Sequence, residues 1–283
     1  MIQLNNHIHT NFSKDGKSPM QEVIAAARKA GLKIITITDH FPLPEGFTYQ
    51  AGDSYMAREQ LNDYIKLVLT EKKRNKDIDI RLGAEIDFRP GFEKLIPAQI
   101  KGIDFDYVLG GVHTLAGWNT RSGWDFDYSK DIWEKGLVKK DIKKVYKEYF
   151  DLVRQLISSR LFDAVAHLDI IKKFNENSKY FDENEDEYKE EVIKCLDLIE
   201  ENNIVLEINT SGLFRPCNAL FPGEWVLKEA FNRKIEITIG SDCHKAEDIT
   251  RGFDYAEKVL KKIGYKRLAA FKKRKKEYVK LGD

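Results

Sequence analysis

The sequence predicts an α/β fold in which a closed barrel of parallel strands, with its active site at the C-terminal ends of the strands, is favoured over a doubly wound sheet. Seven short apolar runs alternate with stretches of helical composition along the 283 residues, as in repeated strand, helix, strand units. Several runs are continuously apolar, which is typical of strands covered by helices. No linker-like Gly/Ser/Pro tract separates the units, so we expect residues 1–283 to form one domain.

The elements follow in order from these runs. The first helix is predicted to begin with Ser18 as its N-cap and Pro19 as its first helical residue, and to end at Gly31. Further helices are predicted in MAREQLNDYIKLVLTEKKR, KKVYKEYFDLVRQLISSR and DEYKEEVIKCLDLIEENN. The seven predicted strands are IQLNNHIH, KIITITDH, IDIRLGAEID, FDYVLGGVHT, FDAVAHLD, NIVLEINT and IEITIGSDCH.

Two segments depart from this alternation. Residues 115–139 have little periodicity and three tryptophans, and a loop this long favours a lid or substrate loop over an inert surface loop. Its aromatic side chains, Trp118 and Trp124 among them, could pack on a ligand ring or in the core. The lysine-rich residues 265–283 are predicted to form a basic C-terminal helix with a solvated face, the alternative being a basic patch.

Composition and charge exclude several classes of partner. With 47 Lys+Arg against 46 Asp+Glu, the formal charge of +1 gives no global attraction for nucleic acid or an anionic membrane. No run of 18 apolar residues predicts a membrane span. Three cysteines without C-x-x-C spacing predict reduced thiols. The first residues do not resemble a signal peptide, so we expect a cytoplasmic protein. The oligomeric state is not predicted.

Every predicted strand ends in a side chain that can bind a metal, and all six histidines lie at such ends. Taken alone, each histidine is more often a hydrogen-bonded core residue. Taken together and buried without an ion, these groups would suffer a large desolvation cost, which favours a metal cluster. The residues at the strand ends are His7, His9, Asp39, His40, Glu85, Asp87, His113, His167, Asp169, Glu207, Asn209, Asp242 and His244.

The ligand types narrow the choice of metal. One transition ion takes four to six ligands, so this set predicts two or three divalent ions. A mixture of imidazole and carboxylate suits Zn²⁺, Mn²⁺ or Fe²⁺ better than Ca²⁺ or Mg²⁺. We predict that Asp39 and Asp169 orient neighbouring imidazoles rather than bind metal. Either could instead be a simple turn or cap residue.

The series HIHT, TDH, GAEIDF, GGVHT, AHLD, EINTSG and GSDCH, in that order over residues 7–244, closely resembles the polymerase and histidinol phosphatase (PHP) family. The resemblance implies a distorted (β/α)7 barrel of TIM-like type with a trinuclear metal centre at the C-terminal ends of its strands. It implies one ion held by His7, His9, Glu85 and Asp242, a second held by Glu85, His113 and His167, and a third held by His40, His244 and Asp15. Some members have a histidine where this chain offers Asp15.

The expected reaction is hydrolysis of a phosphomonoester. Clustered ions lower the pKa of a bridging water, so that a metal-bound hydroxide is the predicted nucleophile, and they bind phosphoryl oxygens. Attack on a carbonyl stays open, and the general acid is not identified. Arg215, just after the sixth strand, is the first candidate for binding the substrate phosphate and Arg121 is the second. Either could be an ordinary surface arginine.

Within the PHP family, the chain most resembles the histidinol-phosphate phosphatases. Its length, the GVHT segment with the tryptophan-containing loop, and the NTSG segment followed by an arginine carry this likeness. The resemblance implies conversion of L-histidinol phosphate to L-histidinol and phosphate in histidine biosynthesis. Two alternatives stay open: a PHP phosphoesterase for nucleotides or other small phosphates, and a non-catalytic metal-binding regulatory module.

Overall fold

Seven parallel strands form the centre of the molecule. The computed structural model describes residues 1–45, 47, 54–89, 91–115 and 123–282. In the described part of the chain, each of the first six strands of this sheet pairs with the next along the chain, so the spatial order of the seven is their sequence order. The strands are β1 (Leu4–Asn5), β2 (Ile34–Ile37), β3 (Asp79–Asp87), β4 (Tyr107–Gly111), β5 (Ala164–Val165), β6 (Val205–Asn209) and β7 (Ile237–Gly240).

The chain around β1 closes the sheet against β7. The amide of Asn6 donates to the carbonyl of Ile239 at 2.9 Å, and the amide of Asp242 donates to the carbonyl of His7 at 2.9 Å. Further along, Ile8 forms a parallel bridge with Cys243. These contacts confirm the predicted barrel over the doubly wound sheet, and they hold the N-terminal segment in the interior of the fold.

Helices cover the outside of the barrel. They are α1 (Met20–Lys29), α2 (Leu61–Arg74), α3 (Ile96–Ile100), α4 (Lys130–Leu137), α5 (Ile142–Ser159), α6 (Asp186–Asn202), α7 (Glu224–Asn232) and α8 (Phe253–Ile263). The longest, α5, buries Tyr149, Phe150 and Val153 among others on one stripe, as expected of an amphipathic helix on a barrel. Helix α3, between β3 and β4, is the shortest of these helices, with five residues.

The first helix starts later than its sequence indicates. Helix α1 begins at Met20 with Pro19 as its N-cap in extended conformation, and no side chain caps it. The Ser18 hydroxyl instead accepts a hydrogen bond from the amide of Ala246 at 3.0 Å, so a contact with a distant loop replaces the predicted cap. Gly31 has φ +80°, a left-handed conformation that ends the helix as predicted.

The predicted basic C-terminal helix over 265–283 is wrong. This segment forms an antiparallel hairpin of β8 (Arg267–Lys272) and β9 (Lys275–Lys280). Ala269 and Phe271 are buried in a small apolar cluster with Tyr107, Leu109, Ala164, Ala166 and Val205 of the barrel. Burial of β8 against the N-terminal end of the barrel outweighs the helical preference of the lysine-rich run, whose charged side chains stay exposed.

Part of the tryptophan-containing segment is ordered core. Within 115–139, residues 123–139 include α4, and Trp133 of that helix is fully buried. Trp124 stacks on Trp133 with ring centroids 5.4 Å apart, and its indole donates to the carbonyl of Ile132 at 3.0 Å. Of the two tryptophans that could pack on a ligand ring or in the core, Trp124 is partly buried and packs against the core, and Trp118 lies outside the described residues. A lid function for 115–139 stays a prediction.

Among the described residues, none of the helices is both long enough and apolar enough to cross a membrane.

Candidate metal centre

The strands bring their C-terminal side chains to one end of the barrel. Glu85 lies near the end of β3, and His113, His167 and Asp242 each follow the last residue of a strand by two positions. His40 forms an isolated bridge with Glu85 just beyond β2. The six histidines, predicted from sequence to share one site, are thus gathered by parallel strands ending at one face.

Glu85 lies between two pairs of histidines. Its Oε2 is 3.3 Å from His7 Nε2 and 3.5 Å from His9 Nε2. Its Oε1 is 2.9 Å from His167 Nε2 and 3.3 Å from His113 Nε2. Within each pair the two Nε2 atoms face each other, at 3.0 Å and 3.1 Å. One carboxylate therefore reaches both pairs with separate oxygens.

A third group of ligand atoms lies beside the first pair. His244 Nε2 is 3.2 Å and His40 Nε2 is 3.9 Å from Asp15 Oδ2, so the structure places Asp15 next to both histidines. Asp242 Oδ1 is 3.3 Å from His9 Nε2. Three sets can each hold a metal ion, their ligand atoms lying within 4.8 Å of one another: His7, His9 and Glu85; Glu85, His113 and His167; and His9, His40 and His244.

Burial and the neighbouring charged groups shift the pKa values of these side chains. Burial lowers the pKa of His9 to about 3, with a further contribution from the neighbouring imidazoles of His244 and His40. Burial alone would raise the pKa of Glu85, but the facing imidazoles, His7 first, outweigh it and hold that pKa well below its usual range. Asp15 Oδ1 is buried without a hydrogen-bond partner among the described residues, and Glu85 Oε2 lies 2.9 Å from His40 Nδ1. Such a site is completed by cations.

Backbone strain marks two of the candidate ligands. His167 and Asp242 both have φ +51°, in the left-handed region that non-glycine residues adopt at some cost. Each lies just past the end of its strand, where the chain turns toward the histidine cluster. Nine further non-glycine residues in the described part of the chain also have a positive φ, so this conformation fixes the two turns without by itself marking a site.

Several side chains orient the imidazoles, and the sequence alone did not single them out for that task. Glu207 Oε1 is 2.7 Å from His7 Nδ1, Asp87 Oδ1 is 3.2 Å from His113 Nδ1, and the Ser13 hydroxyl is 3.2 Å from His9 Nδ1. Each contact involves the ring nitrogen that points away from the cluster and so fixes the ring. Only the position of Glu207 and Asp87 at strand ends could have indicated this role.

The two predicted orienting aspartates act differently from the expectation. Asp39 accepts hydrogen bonds from the amides and hydroxyls of Thr10 and Ser13 at 2.7–3.0 Å, so it fixes the loop after β1 and reaches His9 only through Ser13. Asp169 is 2.8 Å from the buried Lys172 Nζ and accepts from the Gly223 amide at 3.0 Å. Its carboxylate serves this ion pair instead of an imidazole, because Lys172 is itself fully buried and requires a counter-charge.

A cavity of about 600 Å³ opens above the cluster, large enough for a small organic ligand. Arg215, the first candidate for binding the substrate phosphate, lines it and is exposed. Lys173, which was not predicted from the sequence, also lines it and is 3.3 Å from Asp127. Arg121, the second candidate, lies outside the described residues. The cavity therefore joins cationic side chains to the candidate metal groups.

Comparison with known proteins identifies the family. A family model described as "PHP domain" matches residues 5–211. The chain belongs to the PHP domain family. The matched region runs from β1 through β6 and contains all the described members of the two histidine pairs around Glu85, which confirms the family expected from the motif series.

Relatives match this PHP chain over nearly their whole length. The "Probable histidinol-phosphatase" of Deinococcus radiodurans is 31% identical over 271 residues, covering 95% of this chain and 96% of the relative. The "Histidinol-phosphatase" of Bacillus subtilis strain 168 is 32% identical over 270 residues, covering 90% and 97%.

A solved structure has the same fold. It is described as histidinol phosphate phosphatase from Lactococcus lactis complexed with zinc, L-histidinol and phosphate, and it matches with a TM-score of 0.79 at 22% identity, covering 97% of this chain and 98% of the other. The likeness extends over nearly the whole length of both chains and supports the barrel fold.

Proposed function

We propose that this PHP protein is a metal-dependent phosphatase that hydrolyses L-histidinol phosphate to L-histidinol and phosphate, a step of histidine biosynthesis. The observation that carries the proposal is Glu85, whose two oxygens face two separate histidine pairs below an open cavity. Relatives that match at 31% and 32% identity are named histidinol-phosphatase.

The donor set fits a cluster of Zn²⁺, Mn²⁺ or Fe²⁺ ions. Imidazole nitrogens and carboxylate oxygens are the ligands these ions prefer, and the buried Asp15 Oδ1, which has no hydrogen-bond partner among the described residues, is the kind of atom an ion would satisfy. The proposed ligands are His7, His9, Glu85 and Asp242 for one ion; Glu85, His113 and His167 for a second; and Asp15, His40 and His244 for a third.

The chain's own residues would prepare this centre for an anionic substrate. When bound, divalent ions would activate water and neutralise phosphoryl oxygens. Glu207 and Asp87 hold the outer nitrogens of His7 and His113, which leaves each Nε2 directed at Glu85. At the cavity wall, Arg215 would bind the phosphate through its guanidinium. Positive charge from the ions and Arg215 would select for a phosphate ester.

The substrate assignment is supported by the named relatives and by the neighbouring structure that contains zinc, L-histidinol and phosphate. A cavity of about 600 Å³ has room for an ester of this size.

A substrate panel tests the proposal. Metal-replete protein would be assayed for phosphate release from L-histidinol phosphate, adenosine monophosphate and glycerol 3-phosphate. We expect kcat/KM for L-histidinol phosphate to exceed the others by at least about tenfold. Comparable rates on all three would support a broader phosphoesterase instead. Hydrolysis of none would support a metal-binding module without turnover.

A further inference from the structure

The carboxylate of Asp87, which contacts the His113 imidazole, is itself bound by a buried arginine, Arg89. Arg89 follows the end of β3 by two positions and its side chain is only 4% exposed. Its Nε donates to Asp87 Oδ2 at 3.0 Å. Its Nη2 donates to the Thr114 hydroxyl at 2.8 Å. A buried guanidinium thus binds both the partner of His113 and the residue that follows His113.

The two oxygens of Asp87 have different partners. Oδ2 accepts from Arg89 Nε, while Oδ1 accepts from the His113 amide at 3.1 Å and lies 3.2 Å from His113 Nδ1. Because Arg89 fixes one oxygen, the carboxylate cannot rotate away from the ring. The ring is therefore held with Nε2 3.3 Å from Glu85 Oε1.

Through Thr114 the same guanidinium reaches the wall of the cavity. The Thr114 hydroxyl donates to Asp125 Oδ1 at 3.2 Å, and Asp125 lines the cavity. All members of this chain of contacts are buried. Buried hydrogen-bonded networks of this kind fix side-chain geometry, and breaking one member releases its neighbours.

We infer that Arg89 is a positioning residue for the metal centre: it holds Asp87 and Thr114 so that His113 keeps the orientation required to bind the ion shared with Glu85 and His167. The inference rests on the metal centre of the proposed function. Arg89 is not one of the proposed metal ligands, and in this inference it acts through its contacts with Asp87 and Thr114.

Arg81 offers a matched control on the same strand. Its side chain is also buried, at 2% exposure, and is paired with Asp79 and Glu277 at the opposite end of β3. If the loss of any buried arginine weakens metal binding, substitutions of Arg89 and Arg81 should weaken it alike. If Arg89 acts through His113, only the substitution of Arg89 should weaken metal binding.

The test is a metal titration of the whole chain. Metal-free wild type, R89M and R81M would be titrated with Zn²⁺ in competition with a chromophoric chelator. We expect R89M to weaken one class of site by about 10- to 100-fold, the usual effect of removing a group that orients a ligand. R81M should bind within about twofold of wild type, because the two ends of the strand are independent. The Zn²⁺ affinity of R89K should lie between those of R89M and the wild type.

A second measurement separates positioning from folding. At saturating Zn²⁺ the kcat of R89M should recover toward the wild-type value, which a misfolded protein would not do. If R89M does not fold, R89K and R81K are compared in the same titration, with weaker binding expected only for R89K. Superimposable titration curves for the Arg89 and Arg81 variants would overturn the inference. Failure of the wild type to bind Zn²⁺ would instead reject the metal centre itself.

Discussion

Strand β3 carries a buried charge near each end, and the two charges have opposite surroundings. Near its N-terminal end, the Arg81 guanidinium contacts the carboxylates of Asp79 and Glu277 and donates to the Phe271 carbonyl at 2.8 Å. Near its C-terminal end, Glu85 faces imidazoles with both of its oxygens. The first charge is paired within the fold, whereas the second lies among ligand atoms that can hold metal ions.

The polar side chains that face one another at the two ends differ in the same way. We call the N-terminal end of the barrel, which the β8–β9 hairpin covers, the closed end. Near it, the Thr36 hydroxyl donates to Asn6 Oδ1 at 2.7 Å, and Asn6 Nδ2 donates to the Thr238 hydroxyl at 2.8 Å. We call the C-terminal end of the barrel, where the cavity lies, the open end. There imidazole nitrogens of the same kind face each other, as in the 3.0 Å approach of His7 Nε2 to His9 Nε2. Complementary pairs stabilise the fold by themselves, whereas facing imidazole nitrogens are ligand atoms that suit a bound cation. The closed end should therefore determine stability and the open end activity.

The largest effect is expected for Glu85→Gln. An amide cannot bridge two cationic centres, so we expect metal content to fall and kcat/KM to drop by at least about 10⁴-fold, since each bound ion contributes several kcal/mol to the transition state. Elemental analysis and phosphate release measure both. Glu71→Gln is the control, because Glu71 is a buried carboxylate on α2 that contacts Asn75 and Gln21. Full metal content in Glu85→Gln would contradict the assignment of Glu85 as a shared ligand.

The next effect concerns the closed end. Phe271→Ala removes a buried ring that stacks on Tyr107 at 4.9 Å, and we expect the free energy of unfolding to fall by about 3–5 kcal/mol. The kcat of the folded fraction should stay at the wild-type value. Urea denaturation and steady-state kinetics test the two statements. Tyr278→Ala, at an exposed position of the same hairpin, should change stability by less than about 1 kcal/mol. A large fall in kcat for Phe271→Ala would show that the two ends are coupled.

The smallest effect is expected at the rim of the open end. Arg215→Ala removes an exposed cation that lines the cavity, and we expect KM for L-histidinol phosphate to rise by roughly tenfold with kcat little changed, the signature of lost ground-state binding. Arg28→Ala, which removes an exposed arginine of α1 paired with Asp77, should leave KM unchanged. An unaltered KM in Arg215→Ala would assign phosphate binding to other groups.

Most of the site could be predicted because it depends on a local pattern. Parallel strands that follow one another in a barrel bring their C-terminal residues to one face, so a ligand-type residue at each strand end is sufficient to place it there. His113 and His167, far apart along the chain, meet with their Nε2 atoms 3.1 Å apart for this reason. The roles of Asp39 and Asp169 could not be predicted, because their partners are set by loop conformations that the strand pattern does not contain.

The sequence by itself determined the alternation of strands and helices, the barrel, the family and the set of side chains at its open end, because apolar periodicity and chain order are local properties. Only the tertiary structure decided which oxygen of Glu85 faces which histidine pair and that Glu207 and Asp87 hold the rings. It also decided that the lysine-rich terminus forms a hairpin that covers the N-terminal end of the barrel. Those outcomes depend on contacts between residues distant in sequence, where burial of side chains such as Phe271 outweighs local preference.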